Sequence, residues 1–142
     1  MFAPRAMTAA LLAAALGAAG CGSADTNSAE DFKGEQKAVA QTVEDIQKAG
    51  RDGDEQKFCK DLLAAPVVAR LRAQPGAKND CADALGDSLE DADSFDMTAK
   101  KITIEGDRAL VVVKSDAGDD DRTDTLTFVR EGGDWKLASI GQ

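Results

Sequence analysis

The apolar residues of this chain change their period once, and that change limits the possible folds more than any other feature. As far as Leu89 they recur at helical spacing, and from Lys101 onward they alternate. Ser28-Ala29-Glu30-Asp31 resembles a capping box and opens a helical pattern carrying Phe32, Val39, Val43 and Ile46, with Gly34 weakening the first turn. The glycines and aspartates of 50–54 stop that helix and start the next. A second helix over about 55–64 carries Phe58, Cys59 and Leu62. Pro66 sits at the first position of a third, with Val67, Val68 and Leu71. Asn79 or Asp80 caps a fourth, with Cys81, Leu85 and Leu89 on one face.

The alternating half predicts four strands. They run over 101–105, 108–114, 122–130 and 135–140, joined by a turn at Gly106-Asp107, an acidic loop over 116–121 and a tight turn at Gly132-Gly133. Helices followed by an antiparallel meander make an α+β domain, with N-terminal helices packed on one face of a curved sheet. Ile102, Ile104, Leu126 and Phe128 alternate with Lys101, Thr103, Glu105, Thr125 and Thr127, so the first set faces the helices and the second faces out. That outer face lacks the broad apolar patch of a dimer interface and points to a monomer, although 109–113 is apolar on both faces.

The beginning of the chain predicts its location. Arg5 precedes an uncharged stretch from Ala6 to Gly20 that ends Leu16-Gly17-Ala18-Ala19-Gly20-Cys21. A positive start, an apolar stretch, small residues and then a thiol resemble a bacterial lipoprotein signal, although Ala18 stands where the commonest pattern has Leu. Residues 1–20 are then a signal peptide, and Cys21 is the diacylated first residue on the outer face of the cell membrane. Two acyl chains at about 0.8 kcal/mol per buried CH₂ hold stably where one does not. The alternatives are a spanning helix, for which three leucines among alanines and glycines are weakly apolar, and a soluble protein cut near Gly20. Residues 21–33 serve as the lipidated end and a flexible linker, small and polar over 22–28, and 34–142 as the single domain.

Export sets the reading of the other two cysteines. Cys59 and Cys81 are an even pair in an oxidising compartment and predict a disulfide, with two free buried thiols as the alternative. A metal centre lacks ligands, because the chain has no histidine and two thiolates leave a tetrahedral site half empty. Without residues 1–20 there are 16 basic against 26 acidic side chains, a net charge of −10 that repels nucleic acid. The acids of 116–121 do not follow the calcium-loop pattern, so they read as a solvated loop.

The run from Ala49 to Asp54, the Phe58-Cys59 and Asp80-Cys81 positions, the hairpin from Ile104 to Val112 and the closing stretch from Phe128 to Ile140 carry a resemblance. They resemble a small actinobacterial lipoprotein with a nuclear transport factor 2-like domain, a superfamily that includes ketosteroid isomerases and polyketide cyclases. The resemblance implies a cone between helices and sheet, lined here by Ile102, Ile104, Leu126, Phe128 and Trp135. It implies no particular function.

An oxyanion hole built on Tyr is excluded, since the chain has no Tyr and no His. The helical aspartates nearest the apolar stripes, Asp45, Asp61 and Asp83, are the remaining acid–base candidates. With no paired carboxylate in sight, the sequence points to a non-catalytic binding or interaction module without a cofactor. Its partner would be an apolar small molecule or an envelope protein. A cyclase- or isomerase-like enzyme using a buried Asp is the alternative.

Overall fold

A computed structural model of the protein describes residues 28–90, 96–117 and 120–141. The segments expected to form a signal peptide, the lipidated Cys21 and a tether as far as residue 27 lie outside the described residues, as does the tip of the acidic loop. Among the described residues four helices precede four strands: α1 (Gly34–Asp52), α2 (Glu55–Lys57, continued by a π-helical turn Phe58–Leu62), α3 (Ala65–Arg72), α4 (Cys81–Glu90), β1 (Asp96–Glu105), β2 (Arg108–Ala117), β3 (Asp120–Glu131) and β4 (Asp134–Ile140). The strands form one antiparallel sheet in the order β1-β2-β3-β4. This is the α+β architecture expected from the change of period. Among the described residues no helix is long and apolar enough to cross a membrane.

The core lies between α1 and the concave face of the sheet. Val39, Val43 and Ile46 of α1 are buried against Ile102, Val111, Leu126 and Phe128 in one apolar cluster. Local chemistry sets the ends of the helices. Gly53 takes the left-handed conformation at φ 62°, which L side chains disfavour. Its N–H donates to Gly50 O at 3.2 Å while Asp54 N–H donates to Ala49 O at 2.9 Å, the pattern of a Schellman stop. Asp54 then accepts from Lys57 N–H at 2.9 Å and opens α2. Asp80 does the same for α4, accepting from Ala82 N–H at 2.7 Å.

Three elements differ from the sequence reading. Residues 28–33, assigned to the linker, pack on the domain. Ser28–Asp31 is a 3₁₀ turn, Ala29 is buried, and Phe32 lies against the core. Ala29 N–H donates to a Glu44 carboxylate oxygen at 2.8 Å. Gly34, at φ 60°, separates this turn from α1, so the capping-box pattern opens a short turn instead of the long helix. Next, the second helix widens after one turn, and Leu63 N–H reaches back five residues to Phe58 O at 2.9 Å. That wider turn delivers Ala64 N–H to Leu137 O at 2.9 Å and covers part of the free edge of β4.

The third difference is β1, which begins at Asp96, ahead of the expected Lys101, because β2 continues to Ala117 and supplies its pairing partners. The pairing slips by one residue between Ala99 and Lys101, leaving Lys100 as an extra residue. Met97 and Ala99 on one side of the bulge and Ile102 on the other are therefore all buried, although they do not share one parity. A second slip, between Thr127 and Phe128 opposite β4, helps to curve the sheet. On the outer face Lys101 and Glu105 are exposed, while Leu110 and Val112 are half-buried.

Candidate functional site

Each residue assigned to the cone lies on the concave side of the sheet. Ile102, Leu126, Phe128 and Trp135 are buried, and Ile104 is partly buried against them. They pack directly on α1 and on the π-helical turn through Phe58 and Leu62. The buried polar side chains among the described residues are Gln47 and Ser115. Gln47 donates its side-chain N–H to the Met97 carbonyl, so this amide in the core is engaged by backbone. Asp45, Asp61 and Asp83 all stand on the exposed surface.

Cys59 and Cys81 form a disulfide, with Cα atoms 6.0 Å apart. It joins the π-helical turn to the first residue of α4 and closes a loop containing α3. Beside it, Glu55, Gly76, Lys78, Ala82, Asp83 and Gly86 border an open recess of about 460 Å³. Lys78 and Asn79 hold positive φ angles of 48° and 61° at its rim. The lining carries charges of both signs, so the recess is a polar surface feature distinct from the apolar cone. Among the described residues no three His, Cys, Asp or Glu side chains converge as metal ligands.

The sheet end that carries the β1–β2 and β3–β4 turns holds a constellation that sequence reasoning missed. Arg130 of β3 pairs with Trp135 of β4 in register, and its guanidinium carbon lies 4.6 Å from the centre of the Trp135 ring. Its Nη2 donates to Glu35 Oε1 at 2.5 Å, tying the first turn of α1 to the sheet. Arg130 N–H also donates to Asp107 O at 2.8 Å. The Arg130 Nε is buried with no hydrogen-bond partner. Nearby in sequence, the Glu131 carboxylate accepts from Ala65 N–H at 3.1 Å and 3.2 Å, placing negative charge at the start of α3. Trp135 is the single tryptophan of the chain and one of the residues assigned to the cone. Glu35 and Arg130 are 95 residues apart, and no local pattern announces their contact.

The Asp52 carboxyl is displaced from its ordinary acidity. Asp52 accepts a hydrogen bond from Lys48 Nζ at 2.6 Å. That bond and the lysine charge hold its pKa below the usual 3.8. It stands at the exposed end of α1, and the shift is in the direction of a permanently ionised surface group.

Compared with known proteins, residues 34–140 match a family model described as "putative lumazine-binding". None of the curated proteins matches the chain. Among solved structures, an NTF-2-like protein of unknown function from Silicibacter pomeroyi DSS-3 is similar in fold, with 19% identity and a TM-score of 0.52 over 75% of this chain and 92% of that one. At that identity the likeness speaks for the fold, and it agrees with helices laid on one face of a curved meander. The chain belongs to the family described as "putative lumazine-binding", built on an NTF-2-like α+β domain.

Proposed function

We propose that this domain is a non-catalytic binding or interaction module of the cell envelope, held to the outer face of the membrane by diacylated Cys21. The observation that carries the reading is the chemistry of the concave face. Ile102, Leu126, Phe128 and Trp135 are buried there, whereas Asp45, Asp61 and Asp83 are exposed. A general acid or base of the isomerase type needs a carboxyl pushed toward neutrality by burial. The Asp52 carboxyl is shifted in the opposite direction. The outer face of the sheet, with Lys101 and Glu105 exposed, fits a monomer on a membrane tether.

The family description makes a lumazine the first ligand to test, and Trp135, the single tryptophan, reports its arrival by fluorescence. Native mass spectrometry of the full protein, purified from its own membrane, should reveal a co-purifying mass that is released chemically unchanged. A ligand recovered in altered form after incubation would overturn the non-catalytic reading. No bound mass, together with no response of Trp135 to a lumazine, would overturn binding.

A further inference from the structure

We propose that Arg130 is the anchor for a small carboxylate-bearing ligand, and that Glu35 occupies its guanidinium until such a ligand displaces it. This inference rests on the binding-module reading and names the ligand chemistry. A guanidinium presents Nε–H and the neighbouring Nη2–H side by side, and this is an edge that a carboxylate grips with two parallel hydrogen bonds. In this protein one half of that edge is used, by Glu35 Oε1 on Nη2, while the Nε half is buried without an acceptor. A buried donor without a partner is costly and uncommon in folded proteins. A ligand carboxylate in place of Glu35 would satisfy both donors at once.

The surroundings favour exchange over a permanent structural pair. The Glu35 side chain is 58% exposed and that of Arg130 30% exposed, so the pair is well solvated and weak. Arg130 itself is fixed independently of Glu35. Its backbone N–H is held by Asp107 O, and its guanidinium lies over the Trp135 ring. The cation therefore stays in place when Glu35 leaves. The chain carries a net charge of −9, which opposes anion capture at long range. At physiological salt that repulsion is screened beyond roughly 8 Å, and the local guanidinium decides the outcome.

Trp135 fluorescence of the full-length protein in detergent, titrated with benzoate at constant ionic strength, tests the proposal. Benzamide serves as the uncharged control of the same shape. Benzoate should give a saturable change and benzamide none. Glu35→Gln, which removes the competing charge, should tighten benzoate binding about 1.5- to 5-fold, the range set by an exposed ion pair. Arg130→Lys, which keeps the charge and loses the paired donors, should weaken it at least about tenfold. Equal responses to benzoate and benzamide, or unchanged or weaker binding in Glu35→Gln, would reduce the pair to a tie between α1 and the sheet. Should Arg130→Lys fail to fold, Glu35→Gln decides alone. A native ligand still retained by Arg130→Lys would sink this site while leaving the binding module standing.

Discussion

Replacing Cys59 and Cys81 together by alanine removes the covalent link between the π-helical turn and α4. The two cysteines are 22 residues apart in sequence, and for a loop of that size the chain-entropy model gives about 3.4 kcal/mol at 25 °C. For a domain of this length such a loss lowers the melting temperature by roughly 10–20 °C. The effect should also be uneven. Among the described residues α4 packs chiefly on α2, on its π-helical turn and on α3, away from the sheet, and its N-terminal Cys81 is buried through the bridge. Urea unfolding should therefore show the global loss, while hydrogen exchange should show α4 and residues 73–80 opening before the strands. A loss below about 1 kcal/mol, far under the loop-closure value, would refute the reasoning. So would exchange that rises equally in β2 and α4.

Other outcomes follow from the same features. Cys21→Ala should yield an unprocessed precursor or a released protein, and unchanged size with full membrane retention on gels would contradict the anchor. Leu126→Trp should destabilise by about 1–3 kcal/mol through overpacking, read by thermal shift, and Ile104→Trp by less because Ile104 is only partly buried. Lys48→Met should return the Asp52 carboxyl to its ordinary range in a carbon-detected NMR titration. Because folding lowers that pKa, the stability Lys48 contributes is present above the unfolded value of 3.8 and fades as pH falls through the folded one. The two proteins should therefore converge in acid.

The parts of the fold legible in the sequence are those fixed by nearby residues. Gly53 stops α1, Asp54 and Asp80 cap their helices, and Pro66 sits in the first turn of α3. Gly106 turns the first hairpin at φ 60°. The cysteine pair was legible for a different reason, since a chain expected to be exported, with Cys21 set aside for lipidation, leaves an even pair of thiols to be oxidised. What the sequence hid depends on distant partners. Asp96 belongs to β1 because it lies opposite Asp116, and nothing around Asp96 itself has strand character. Ala29 is an apolar residue in a polar run, and it finds a surface only where its turn meets α1 and β1. The Glu35–Arg130–Trp135 contact joins the first helix to the last two strands, so no window of sequence contains it.

The extra residue in β1 lets two stretches of opposite parity share one face. Lys100 is exposed and has no partner in the β2 register, so many polar residues would serve there. Were the pairing to run on through Lys100 without the slip, strict alternation would turn either Met97 and Ala99 or Ile102 and Ile104 out of the core, because side chains change face at every step along a strand. Deleting Lys100 would bring all four into one alternating series and take away the local bend with the bulge. What this residue sets is therefore the course of the strand, since the inward set would survive its loss.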